Sequence, residues 1–560
     1  MIARSGLTAD SRRSTRPSPS CTLPVPVCST EEISMRLTVA VAALMFAVAS
    51  MCAPAQEGAR LPDIGSSAGT VLSPADQKAY GQMMLSQLRN FDYILEDPLV
   101  DAWLRGLGNR LAAASDDPRQ DFTFFMMKDR QVNAFATVGG YVGVNAGLVL
   151  VADTEDEVAG VLGHEIAHVT QSHVLRSVER AQRDSVPILL AMLGAIAIAQ
   201  SGSSSSGDAA MAAMASAQGI AAQRQINYTR SNESEADRIG IRTMARSGYD
   251  PLAMAQMFER MQALERSNQG GEKERTPDYL RSHPVNTTRI AEAKQRAAKM
   301  EESGDTRFTP AYTTSDNPLL PSSFQISTAP SGSDSVQFGW VRERLRVLSA
   351  NTPTAAINEY ERMRRSGDLT VAQRYGLAHA HLLAGHGAEA AKELVPLLAK
   401  YPGDSWLLLA MAQSKARAGD PAAADAIFED LLARMPRNRA VALTYAGVLA
   451  ERNNAAAGKR AQDVLRPQLA SASDDPLFQS TFARVNEIAG DPIRAGEAWA
   501  EAAYLNGRPE RALVQLNNLK KRSDLDYYAR ARIDARIAAI TPSVLELRRQ
   551  GVRDPDLDRH

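Results

Sequence analysis

Two histidines four residues apart, with a glutamate directly after the first, stand in HEIAH at His164, Glu165 and His168. On a helix, residues i and i+4 lie one turn apart on the same face, so both imidazoles can hold a single metal ion. Glu165 then sits beside that ion as a general base, and the chemistry such a set supports is metal-assisted hydrolysis. Either histidine alone would read as an ordinary residue of an amphipathic helix. A zinc site that works on a substrate needs a third protein ligand and an open fourth position.

Candidates for that ligand follow in NYTRSNESEADRIGIRTM, Asn227 to Met244, which reads as a second helix. Glu233 and Asp237 are spaced i and i+4 and share a face, whereas Glu235 points well away from it. Glu233 can complete a His, His, Glu set, and Asp237 can hold a ligand histidine through the proton on its outer ring nitrogen. Any exposed acidic helix face has this spacing, so the reading rests on its pairing with HEIAH.

Other elements must bring these residues together. Asp153 and Thr154 are good caps for the HEIAH helix, and Glu155, Asp156 and Glu157 place negative charge at its positive end. Val158, Val161 and Leu162 give it apolar positions, and no proline interrupts it before Pro187. Upstream, Ser73-Pro74 starts a helix that runs to about Asn90. Asp97-Pro98 starts another, with Leu99, Trp103, Leu104, Leu107 and Leu111 on one stripe. Phe122 to Met127 reads as a strand. Asn133 to Val151 reads as short strand-like pieces with glycines at 139, 140, 143 and 147. They form either a plain hairpin or an edge to which a peptide substrate adds as a further strand.

Two apolar stretches, Val186 to Gln200 and Ala209 to Gln223, flank SGSSSSGD between HEIAH and the acidic helix. Each is shorter than the roughly 20 residues of a spanning helix. They suggest a mobile helical hairpin that covers the site or makes peripheral contact with a membrane or partner; packing into the core is the alternative.

The C-terminal part is helical and repetitive. Gly385 and Gly419 are 34 residues apart, and so are Ala390 and Ala424, Leu394 and Phe428, Leu397 and Leu431, and Pro402 and Pro436. That period, with small residues where helices cross and proline at the unit's end, is the tetratricopeptide signature, and such arrays present a concave groove to peptides or proteins. His379, His381 and His386 fall here without an acidic or cysteine partner at ligand spacing, and read as surface or groove residues.

A chain of 560 residues with 44% hydrophobic and 23% charged residues has room for several folded domains. Its formal net charge of −1 gives no basic field for nucleic acid. Cys21, Cys28 and Cys52 all precede Ala53, so neither disulfides nor cysteine-ligated zinc are available beyond it. Residues 1–34 lack periodicity, whereas Met35 opens an apolar run ending at Ala53-Pro-Ala55. This reads as a signal peptide with its true start at Met35 and cleavage near Ala55. An uncleaved anchor is the alternative.

HEIAHVTQSH, followed by NESEADRIGI and then by SHPVNTTRI at Ser282 to Ile290, resembles the gluzincin metallopeptidase family 48. It is most similar to the periplasmic BepA-type members, which carry a tetratricopeptide domain behind the protease. The resemblance implies one zinc ion on His164, His168 and Glu233, catalysis by Glu165 with support from Asp237, and His283 on a loop over the site as a fourth ligand or gate. It implies a periplasmic protein that degrades unfolded or stalled outer-membrane proteins and partners the outer-membrane β-barrel assembly machinery. The alternative is an assembly adaptor or chaperone whose protease is normally autoinhibited.

The expected architecture is mainly α: a helical zincin-type domain with a small β-sheet, then a tetratricopeptide solenoid. Its divisions are an N-terminal extension with signal peptide at 1–55, a loose lead-in at 56–72, the metalloprotease domain at 73–300, a Pro/Ser/Thr-rich linker at 301–335, the repeats at 336–540 and a tail at 541–560.

Overall fold

The computed structural model describes residues 72–180, 206–268, 277–303 and 336–549, with side chains of the second span from 226 onward. The expected signal peptide, the apolar arm Val186 to Gln200 and nearly all of the 301–335 linker lie outside these residues.

Helix α1, Pro74–Asn90, begins where its sequence signals place it: the Ser73 side chain accepts from the Asp76 amide and proline fills the first turn. Helix α2, Pro98–Ala113, is capped by Asp97, whose carboxylate accepts from the amides of Leu99 and Val100. Its stripe of Leu99, Trp103, Leu104, Leu107 and Leu111 is buried. The three-stranded sheet has the order β1-β3-β2, with β1 at Thr123–Met127, β2 at Ala134–Thr137 and β3 at Tyr141–Asn145. The central strand β3 pairs in parallel with β1 and antiparallel with β2, and the β2–β3 turn uses the left-handed Gly139 and Gly140 (φ 79° and 81°). The strand-like reading of Asn133 to Val151 therefore ends early. Ala146–Val151 is a short helix, α3, and a Cβ on Gly147 would stand 2.1 Å from the Arg130 carbonyl oxygen.

Helix α4, Glu155–Thr170, carries HEIAH and is capped by Thr154, which accepts from Glu157 N. It stops before the end of the sequence motif. Ser172 turns left-handed at φ 53°, and a new helical segment opens at His173. Helix α5, Ser206–Arg246, is continuous from the alanine-rich run through Glu233 and Asp237. The second expected hairpin arm, Ala209 to Gln223, is thus the start of the acidic helix; no proline interrupts the run, and alanine is the strongest helix former. Helices α6 (Leu252–Asn268), α7 (Asp278–Ser282) and α8 (Thr287–Ser303) complete this part. Among the described residues, no helix is long and apolar enough to cross a membrane.

From Val336–Leu348 to Tyr527–Arg549 the chain is a helical-repeat solenoid. Its periodicity is the one seen in the sequence: Ala390, Leu394 and Leu397 are buried like Ala424, Phe428 and Leu431, and Gly385 and Gly419 both turn left-handed between helices. The last helix continues to Arg549, into the stretch expected as a tail.

The solenoid packs along α1 and α2. Arg344 donates to both oxygens of the α2 cap Asp97 at 2.7 and 2.8 Å, Arg439 meets Asp101 at 3.4 Å, and Arg508 donates to Asn90 at 2.9 Å. Burial alone would raise the Asp97 carboxyl, but the Arg344 charge and hydrogen bonds hold it below the usual range. His379 belongs to this junction: it is buried beside Arg344 and stacked on Tyr375, contrary to its reading as a surface or groove residue. This part of the solenoid packs against another part of the same chain, which sequence spacing does not reveal.

Candidate metal centre

The site forms where α4 crosses α5. The two backbones meet at Gly163 and Gly240, where a Cβ on Gly163 would lie 3.1 Å from the Gly240 carbonyl oxygen. This close crossing brings Glu233 to the two histidines. The Nε2 atoms of His164 and His168 are 2.9 Å apart, and the Glu233 carboxylate lies 3.4 Å from each. His283, at the end of α7, places Nδ1 2.9 Å from Glu233 and 3.3 Å from His164 Nε2. One donor atom from each of His164, His168, Glu233 and His283 lies within 4.8 Å of the others.

Each histidine is held from outside. His164 Nδ1 meets Asp237 at 2.9 Å, and Arg289 donates to both oxygens of Asp237 at 2.7 Å each. The same guanidinium reaches Glu233 at 3.0 Å and lies over the Phe258 ring. On the other side, His168 Nδ1 meets His173 Nδ1 at 2.8 Å; His173 Nε2 is 3.1 Å from Glu235, which also accepts from Arg176 at 2.8 Å.

The charges of these groups are set by one another. Burial alone would lower His164, but hydrogen bonds to Asp237 and Glu233 and their charge push it upward. Burial would raise Glu233 and Asp237, yet their histidine and arginine partners hold both below the carboxylate range. Burial pushes His168 down, and burial and the neighbouring His168 bring His173 to about 4. Glu165 is almost wholly buried, and its Oε1 has no hydrogen-bond partner; His283 Nε2 lies 3.7 Å from it. Tyr279 stacks on His283 at 4.8 Å with its hydroxyl likewise unpartnered and buried.

Two imidazole nitrogens and a carboxylate oxygen that converge in a buried pocket, beside an orphaned carboxylate oxygen, fit a divalent metal of borderline softness. The structure brings together His164, Glu165, His168, Glu233, Asp237 and His283. Sequence reasoning missed Arg289, although it lies within SHPVNTTRI, six residues after His283. It also missed His173 and discounted Glu235. Both misses follow from treating 153–173 as one helix; the left-handed Ser172 swings His173 back under His168, to where Glu235 can reach it.

Beside His168 a groove runs between the end of β2 and the start of the next helical segment, lined in part by Thr137, Val138, Gly139, Val169 and Val174.

A profile of peptidase family M48 matches residues 98–297, which span the sheet, HEIAH, Glu233 and His283. The beta-barrel assembly-enhancing protease of Yersinia pestis is 31% identical over 493 residues, covering 86% of this chain and 92% of that one. The chain belongs to peptidase family M48. With that membership it is a metalloendopeptidase, and the converging donors are compatible with a metal site. A putative beta-barrel assembly-enhancing protease of Vibrio cholerae is 40% identical over 257 residues, 45% of this chain and 51% of its own length. The mitochondrial metalloendopeptidase OMA1 of Saccharomyces cerevisiae is 27% identical over 171 residues, 30% of this chain and 45% of its own.

Proposed function

We propose that the protein is a zinc endopeptidase of the periplasm, with zinc on His164, His168 and Glu233 and with Glu165 as the catalytic base. The observation that carries this is the convergence of two imidazole nitrogens and a carboxylate beside a buried carboxylate oxygen that has no hydrogen-bond partner. Zinc supplies Lewis-acid activation of water and of the peptide carbonyl when bound there. Glu165 accepts a proton from the attacking water and returns it to the leaving amine nitrogen, a role suited to an oxygen kept free of other hydrogen bonds. Asp237 fixes the tautomer of His164 so that Nε2 presents its lone pair, and Arg289 holds Asp237 ionised. The edge strand β2 and the groove beside His168 suit an extended peptide added as a further strand.

Relatives named for assisting β-barrel assembly support misassembled outer-membrane proteins as substrates and the β-barrel assembly machinery as partner. The solenoid supplies the docking surface. Crosslinking in cells with a Glu165→Gln protein should trap outer-membrane proteins; recovery of none would count against this substrate class.

His283 favours a second element of the reading. Its ring stands against Glu233 and His164 and near Glu165, so it crowds the space beside the metal donors that a substrate would need. The protease is therefore normally shut, and the adaptor role operates while it is. His283→Ala should raise proteolysis severalfold at unchanged zinc content, measured on an unfolded protein substrate; a fall in rate would assign His283 to catalysis instead.

A further inference from the structure

We propose that His173 and Glu235 are positioning residues that fix the tautomer and ring orientation of His168 through a directed chain of hydrogen bonds. The inference rests on the reading of His168 as a metal ligand. A histidine that ligates through Nε2 must carry its proton on Nδ1. His168 Nδ1 faces His173 Nδ1 at 2.8 Å, so His173 must accept there with a lone pair. Its own proton then lies on Nε2, which faces Glu235 Oε2 at 3.1 Å, an acceptor. Arg176 donates to the same oxygen at 2.8 Å and holds the carboxylate in place and ionised. Every group in the chain has one consistent role, and reversing any of them would set two donors or two lone pairs against each other.

Two further observations support the assignment. His173 is 2% exposed, so its ring nitrogens have only these partners to satisfy them. The backbone accepts an unfavourable conformation to put it there: Ser172, not a glycine, sits at φ 53°, in the left-handed region that L-residues disfavour. The two ligand histidines are thus supported differently. His164 leans directly on the carboxylate of Asp237, whereas His168 leans on a neutral imidazole with its carboxylate one step further out. The outer chain passes close to the surface, since the Glu235 and Arg176 side chains are 30% and 36% exposed.

The test is zinc affinity of the full chain, measured by competition with a chromophoric chelator, alongside thermal unfolding of the zinc-free protein. His173→Gln offers a carbonyl to His168 and an amide donor to Glu235, and should keep affinity within about threefold of wild type, whereas His173→Phe keeps the bulk, removes both functions and should lose about 10- to 100-fold. A packing role predicts the opposite order, so equal losses, or a better-binding Phe variant, would overturn the proposal. Glu235→Ala changes a partly exposed residue and removes the acceptor of His173, and should weaken zinc about tenfold. Wild-type affinity in that variant overturns the proposal even where His173→Phe fails to fold. His168→Ala separates the two levels: retained affinity there would remove the ligand assignment itself, whereas its loss beside unaffected His173 and Glu235 variants would remove only the relay.

Discussion

Gly240→Ala should damage the metal site without touching a ligand. The added Cβ would stand 2.9 Å from the backbone nitrogen of His164, 3.0 Å from the carbonyl carbon of Gly163 and 3.0 Å from the Met254 methyl. Two of these are backbone atoms of α4, so a side-chain rotation cannot relieve them. Ordinary contact begins near 3.4 Å, which requires α4 and α5 to part by about 0.5 Å at the crossing. Glu233 lies two turns away on the same face of α5 and moves with it. Metal–ligand distances tolerate only about 0.2 Å, so the carboxylate leaves register with His164 and His168. Overpacking of this kind costs about 1–3 kcal/mol, and if the same strain reaches the site, each 1.4 kcal/mol removes a factor of ten from zinc affinity. The expected result is a lower unfolding midpoint and a loss of about tenfold or more in zinc affinity by chelator competition. Gly106→Ala, on the exposed face of α2 with nothing within 4 Å, is the control and should be neutral or slightly stabilising. Wild-type zinc affinity in Gly240→Ala would refute the idea that this crossing sets the site.

Arg344→Met would leave Asp97 charged and unpaired where the solenoid meets α2, a loss of about 3–5 kcal/mol. The double variant Asp97→Asn with Arg344→Met should lose less, because the asparagine side chain would keep the cap while no lone charge stays buried; chemical denaturation of both checks this. Asp156, in the first turn of α4, is raised to about 7 by burial and by the charges of Asp250 and Glu155, and its Oδ1 has no hydrogen-bond partner. Its folded pKa lies above its ordinary 3.8, so the folded state retains the proton and stability is lost as pH rises from about 4 through about 7. Asp156→Asn should therefore raise the unfolding midpoint at pH 8 and leave it unchanged at pH 4; an equal gain at both would refute the assignment.

Local chemistry was legible in the sequence wherever a signal lay within a few residues. The caps Ser73, Asp97 and Thr154, the α2 stripe and the 34-residue spacing all appear where the chain announces them. The grouping of His164, His168 and Glu233 was legible because HEIAH needs a third ligand and the acidic helix that follows offers Glu233. What escaped depended on one backbone angle or on distant contacts. The left-handed Ser172 breaks the HEIAH helix, and no glycine or proline marks it. Arg289 gains its meaning only when α8 folds back on Asp237, 52 residues away. His379 looked like a surface or groove residue because nothing local shows that this part of the solenoid packs on α2.

The central claim is that His164, His168 and Glu233 hold one zinc ion and that Glu165 works on water beside it. It is tested most directly by purified Glu165→Gln protein, with zinc content and hydrolysis of an unfolded substrate measured on the same sample. The substitution preserves shape and leaves the ligands intact, so zinc should remain at the wild-type level while hydrolysis falls by about 10²- to 10⁴-fold, the range of a general base. Hydrolysis at the wild-type rate with zinc in place would contradict the account.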